Sequence, residues 1–293
     1  MGLPHLTIRF IDESLRGLGK ASTRQLQRGI ARGNWSEEWR EIARYELAYR
    51  RCATLMSEAE GDLYLRRILP YLKSTVGAGG SVLDIGAGAG RLAIALARCG
   101  FELHAIDPSP SALCRLRKRA VREGVEGKLH MYCGRACDLR RFPDGAFDCC
   151  LSIQTLMYCM DAGATRSFMT TCVRLARKAV CIDMVSKYGA LMAGLEEIRP
   201  CASDHLSLWR CGRILRPGGG GSERFQCMTT DEFRHMLAKA GLVLDCIAPV
   251  GYRQVVLKNR KGGCGCEELE HIFEGDPRAS ELSLFILGLC RTT

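Results

Sequence analysis

The sequence predicts a doubly wound α/β fold, and three observations predict it. From residue 81 onward short apolar runs alternate with longer stretches of helical period, the pattern of parallel strands joined by crossover helices. The first apolar run, SVLDI, is followed by Gly86, Gly88 and Gly90 and then by a helical pattern. The second run, FELHAID, ends on an acid, Asp107.

Strands are expected near 81–85, 102–106, 128–132, 147–152, 179–184, 242–247 and 282–290, a mostly parallel seven-stranded sheet. Helices are expected near 90–99, 110–123 and 163–177, and again from Thr230, read as an N-cap before Asp231 and Glu232, to Gly241. Before the sheet, apolar residues spaced by three to four between Ser36 and Leu72 read as two or three amphipathic helices, ended by Pro70 and the cluster Gly77, Gly79 and Gly80. Residues 1–33 read as an arm or one short helix. The chain thus divides into a basic arm and helical N-terminal cap, 1–75, and a sheet domain, 76–293. An insertion at about 186–227 interrupts the alternation and is expected to form a lid.

Composition narrows the function. The 293 residues are 47% hydrophobic and 25% charged, enough apolar material for a full core. No window of about 18 uncharged apolar residues exists. The start, MGLPHLTIRFIDES, lacks the basic-then-apolar order of a signal peptide, and Leu6 stands where a myristoylation motif wants Ser or Thr. A cytoplasmic protein without membrane contact is expected. The 17 cysteines are read mainly as buried core residues, Cys149, Cys150, Cys159, Cys172 and Cys181 among them. Cys264 and Cys266 lack the second pair that a zinc site needs, so no metal is expected. The 42 Lys and Arg against 32 Asp and Glu leave +10, but this charge is spread along the chain. The run RLRKRAVR, 115–122, reads as the solvated face of a helix.

Glycines after a strand let the chain turn sharply and bring a ligand against bare backbone at a helix N-terminus. An acid ending the next strand can accept hydrogen bonds from both hydroxyls of a ribose. A ribose-bearing cofactor follows from the two together. Dinucleotide binders prefer G-x-G-x-x-G, whereas the third glycine here comes one residue early and Asp84 precedes the first.

At these residues the chain resembles the class I S-adenosylmethionine-dependent methyltransferases, whose first motif is an apolar run, Asp, any residue, then three glycines alternating with other residues. The stretch GRACDLRRFPDGAFDCCLSIQTLMY, 134–158, resembles the family's third and fourth motifs, with Phe147-Asp148 opening the fourth strand. TTDEFRHMLAKAGL and ELSLFILGLC resemble its late helix and last strand.

The resemblance implies S-adenosylmethionine as cofactor and S-adenosylhomocysteine as product. Asp84, Gly86, Ala87, Gly88 and Gly90 would cradle it, Asp107 would take its ribose, and Pro108 would lie against its adenine. Arg135 replaces the family's frequent adenine-binding Asp, which shifts that contact to Ala136 or Asp138. Ser152 and Ile153, at the exit of the fourth strand, complete the expected cofactor set.

Met157 and Tyr158 stand where the family often has two histidines. Tyr158 and, in the insertion, His205 are therefore the candidate catalytic residues. Tyr45, Tyr49, Tyr64 and Tyr188 are candidates to line the pocket. The tetrapeptide of base-amino methyltransferases is absent after the fourth strand, and Pro200-Cys201 lies after the wrong strand for pyrimidine-carbon chemistry. The expected reaction is methyl transfer to an oxygen, nitrogen or carbon of a small-molecule acceptor. An RNA or protein acceptor is the first alternative, and a non-catalytic cofactor-binding or scaffold protein the second. Nucleic acid is not the favoured partner, and a homodimer stays open.

Overall fold

The computed structural model describes residues 7–32, 35–51, 58–159, 161–190, 213–218, 221–251 and 283–293. In chain order the elements are β1 (Ile8–Phe10), α1 (Ser14–Lys20), α2 (Thr23–Arg32), α3 (Glu37–Arg51), α4 (Glu58–Thr75), β2 (Ser81–Ile85), α5 (Arg91–Arg98), β3 (Glu102–Asp107) and α6 (Pro110–Arg122). There follow β4 (Leu129–Cys133), β5 (Phe147–Ser152), α7 (Ala162–Leu175), β6 (Ala176–Ser186), β7 (Arg213–Gly218), β8 (Gly221–Met228), α8 (Thr230–Lys239), β9 (Leu242–Val250) and β10 (Phe285–Thr292).

The sheet runs β1-β4-β3-β2-β5-β6-β10-β9, with β8 beside the end of β6 and β7 paired to β8. The neighbours from β4 to β6 are parallel, and β10 is antiparallel to both β6 and β9. The seven expected strands are all present, and three more join them. Alternation along the buried strands sends successive side chains to opposite faces. Val82, Leu103 and Cys181 pack into a core shared with α4, α5 and α6, while Leu83, Ile106 and Val180 face α7 and α8. The connection is doubly wound.

The N-terminal region departs from expectation. Residues 7–32 are not a loose arm or a single helix: β1 adds a parallel edge strand to β4, with Ile8 opposite Met131 and Phe10 opposite Cys133, and two helices follow. Leu15, Leu18 and Leu26 are buried in the same core as the sheet. A three-residue strand carries too little period to be read locally, because its pairing comes from an edge more than a hundred residues away. Pro70 does not end the cap either; α4 runs through it to Thr75. Pro70 and Arg66 are both exposed, so the Arg66 carbonyl that loses its helical donor can turn to water. In the insertion, the described residues include the β7–β8 hairpin, while 191–212 lie outside them.

Candidate functional site

Three positive-φ glycines and the positive-φ Gln154 gather where β2, β3 and β5 end. Gly86, Gly88 and Gly90 have φ of +80°, +55° and +75°, values that a side chain makes costly. The turn is closed by the Gly86 and Ala87 N–H groups, which donate to the Ile106 carbonyl at 2.9 and 3.1 Å. Space demands glycine as well: a Cβ on Gly86 would collide with the Thr155 hydroxyl, and one on Gly88 with the Tyr49 hydroxyl.

Asp107 ends β3 directly below this turn. Its carboxylate accepts the Gly88 N–H on one oxygen and the Ser109 N–H on the other, both at 2.8 Å. Above it opens a cavity of about 930 Å³.

Most of the sequence-predicted residues converge on that cavity. Asp84, Gly86, Ala87 and Gly88 line it, with Asp107 and Pro108 from the end of β3, Arg135 and Ala136 after β4, and Ile153 and Tyr158 after β5. Two do not. Gly90 turns away and packs on Leu116 at the start of α5, and Ser152 is wholly buried with its hydroxyl unpaired among the described residues. His205, Pro200-Cys201, Cys264 and Cys266 lie outside the described residues.

Electrostatically the floor is unusual. Asp84 is buried, and among the described residues nothing donates to its carboxylate; burial, then the neighbouring Asp107, pushes it up to about 7. Burial raises Asp107 to about 6, against the pull of its Ser109 and Gly88 N–H bonds. Two buried acids beside a glycine turn are costly without a ligand that uses them.

Sequence comparison adds to this geometry. A profile of the methyltransferase domain matches residues 82–179, the stretch that supplies the glycine turn, Asp107 and the exit of β5. Over that stretch, a third of the chain, the protein is similar to methyltransferase domains. A ribosomal protein L11 methyltransferase of Xylella fastidiosa is 40% identical over 66 residues, which is 22% of each chain. An uncharacterised protein of Mycobacterium tuberculosis is 28% identical over 142 residues, 46% of this chain and 50% of that one. The matched stretches thus span half or less of these relatives' length.

Solved structures agree on the fold. A methyltransferase from Methanosarcina mazei superposes with a TM-score of 0.56 at 17% identity, covering 77% of this chain and 96% of its own. The magnesium protoporphyrin IX methyltransferase of Synechocystis reaches 0.50 at 11% identity, with 97% of each chain covered.

Around this cavity the cap supplies what the glycine motif does not. Tyr45 and Tyr49 of α3 line the cavity, and Tyr45 meets Tyr158 edge to face with ring centres 5.0 Å apart. Tyr64 and Tyr188 do not line it. Glu46, on the buried face of the same helix, accepts from the Ser109 hydroxyl at 2.7 Å, the Ser111 N–H at 3.1 Å, the Ser111 hydroxyl at 2.5 Å and Arg50 at 2.9 Å. It locks α3 onto the residues that follow Asp107.

Arg135, where the family often has an acid, serves as a clasp, paired with Asp12 and Glu38 at 3.2 Å each. The run 115–122 is only partly a solvated face. Arg117, Lys118 and Arg122 are exposed, but Arg115 donates to the Tyr49 carbonyl at 2.6 Å and Arg119 to that of Ala89 at 3.0 Å. Asp148 likewise holds structure, accepting the Ser81 N–H at 3.0 Å.

Three further residues escaped the sequence reading. Cys159 packs against the core and also lines the cavity. Gln154, also lining it, is the one non-glycine residue with positive φ among the described residues, at 55°. Its N–H donates to the buried Asp183 at 2.7 Å, and the Tyr64 hydroxyl donates to the other oxygen of Asp183. The signal for this ring was an acid inside an apolar strand, CIDMV, which only a partner could make tolerable.

Proposed function

We propose that the cavity binds S-adenosylmethionine and that the protein transfers its methyl group to a small-molecule acceptor. The observation that carries this reading is Asp107, a buried carboxylate at the strand end beneath a glycine turn that no side chain can fill. The residues fit the cofactor: Asp107 retains lone pairs for ribose hydroxyls, Gly86 and Gly88 give it bare backbone, and Asp84 offers an unpaired carboxylate. Pro108 and Ala136 provide the surfaces for the adenine.

When bound, the cofactor supplies an activated methyl group on a cationic sulfur. The chain's part is to orient and to exclude water. Helix α3 covers the cavity, and the perpendicular rings of Tyr45 and Tyr158 offer a face to a cation. At about 930 Å³ the space is at the upper end for small-molecule sites, which suits a cofactor and a compact acceptor together.

Its charges are mixed: Arg40, Arg44, Arg91 and Arg135 stand against Glu38, Glu41, Asp84, Asp107 and Asp161. Such a lining does not suit a polyanion. The Arg40 Nε is buried and without a hydrogen-bond partner among the described residues, so the acceptor is read as carrying a carboxylate or phosphate.

Calorimetric titration with S-adenosylmethionine, S-adenosylhomocysteine and a nicotinamide dinucleotide tests the cofactor. Micromolar binding of the first two, weakened at least 100-fold in Asp107→Ala, is the expected result. Binding of the dinucleotide alone, or of nothing, overturns the reading. A methyl-transfer screen over anionic small molecules and total RNA then separates the acceptor classes.

A further inference from the structure

At the opposite end of the sheet from the cavity three side chains converge that the proposed methyl transfer does not use. Glu102 and His104 are two residues apart on β3 and so share a face, and His130 on β4 is the register partner of His104. The Glu102 carboxylate oxygen lies 3.0 Å from His130 Nε2 and 3.5 Å from His104 Nε2. The imidazoles stack with ring centres 4.5 Å apart, and all three ligating atoms lie within 4.8 Å of one another. We propose that Glu102, His104 and His130 form a binding site for one borderline transition-metal dication, with zinc the best match to two imidazoles and a carboxylate.

The geometry argues for it. With bonds of about 2.1 Å, neighbouring ligands of a tetrahedral zinc stand about 3.4 Å apart. Two of the three edges, 3.0 and 3.5 Å, already sit near that value. The third closes by a tilt of one imidazole, and solvent supplies the open position, because Glu102 and His130 are partly exposed.

His104 Nδ1 lies 3.3 Å from the Tyr132 hydroxyl, which can accept or donate and so fixes the ring with Nε2 towards Glu102. Phe147 packs 4.8 Å from the same ring. Arg9 faces Tyr132 from β1 and opposes any cation here, which favours an ion held by imidazole nitrogen over a hard one such as magnesium.

The site is structural rather than catalytic. Glu102 opens β3 and Asp107 closes it, so at about 3.3 Å per residue the metal would sit roughly 10–17 Å from the cofactor floor. Its effect would be to cross-link β3 and β4 near the edge where β1 is added.

The test uses the full chain, stripped with chelator, kept reduced, and titrated with cobalt, zinc and magnesium. One equivalent of cobalt should give the weak visible bands of a nitrogen and oxygen ligand set. His130→Ala and Glu102→Gln, both partly exposed changes that spare the core, should each weaken that binding at least tenfold. Zinc should raise the melting temperature of the parent and not of the variants, and magnesium should do neither. Overturning results are no binding, intense sulfur-to-metal absorption showing that cysteines took the ion, or equal affinity in parent and variants. S-adenosylhomocysteine binding, measured in parallel, should be unchanged by either variant, so failure here leaves the cofactor reading standing.

Discussion

The two walls of the cavity are built by different means. The sheet wall, Asp84 through Gly88 with Asp107 and Pro108, is made of two short stretches whose function is written in consecutive residues. The cap wall, α3 with Tyr45 and Tyr49, is positioned by partners far along the chain: Arg50 donates to the carbonyls of Ala21, Leu18 and Gly19, and Glu46 reaches Ser109 and Ser111. A ligand contact made by backbone and strand ends repeats as a spacing. A contact made by a packed helix depends on register, which no spacing records.

If that distinction is right, the two walls should break differently. The largest effect is expected from Gly86→Val in the sheet wall. A β-branched residue at φ +80° whose Cβ meets Thr155 should cost about 2–4 kcal/mol and remove S-adenosylhomocysteine binding. Denaturant unfolding and calorimetry check it; binding within threefold of the parent would mean that the turn does not touch the ligand.

Glu46→Ala attacks the cap wall instead. It leaves Ser109, Ser111 and Arg50 without their buried acceptor and should cost about 3 kcal/mol. Hydrogen exchange should show protection lost over α1 to α3 while β2 and β3 keep theirs, because the cap can open as a local unit. Equal loss in β2 and β3 would show the walls to be one cooperative body.

The same contrast decides what could be read from the sequence. The seven sheet strands, α5 to α8 and the acid-and-glycine constellation were legible because each rests on local period or a strand-end motif. Gly90 and Ser152 were read with the cofactor set but do not line the cavity, because spacing cannot tell a cavity-facing residue from its neighbour: Gly90 is needed by Leu116, and Ser152 is fully buried. Arg135 looked like a lost adenine contact and is a clasp to Asp12 and Glu38. Its partners lie on segments that no local pattern ties to it.

Asp107 also gives a pH test of the sheet wall. Its folded-state value, about 6, lies above the ordinary 3.8, so the folded protein binds the extra proton. The stability this contributes is present at low pH and is lost as pH rises through 6. The ribose contact proposed for Asp107 needs the ionised form, so binding should run the other way. One unit below its pKa about a tenth of Asp107 is ionised, and S-adenosylhomocysteine affinity should be about tenfold weaker at pH 5 than at pH 7.5. A flat profile would separate Asp107 from the ribose.

The smallest effect is expected behind the cavity, at the ring that joins cap to sheet. Tyr64 of α4 donates to Asp183 of β6, which in turn accepts the N–H of Gln154 and so holds that residue in its left-handed conformation. Burial pushes Asp183 up to about 7, against the pull of Tyr64 and Gln154. Tyr64→Phe should therefore cost about 1–2 kcal/mol, and more at pH 8 than at pH 6. Losing the Tyr64 bond also raises the variant's own Asp183 value, so the cost grows as pH rises through 7; well above it the carboxylate is charged in both, and only the parent has the hydroxyl to bond it. Below 7 it is mostly protonated, and the lost bond matters less. A cost independent of pH, measured by urea unfolding at both values, would mean that Tyr64 acts by packing alone. The ring would then belong to the core of the cap and not to the wall that shapes the exit of β5.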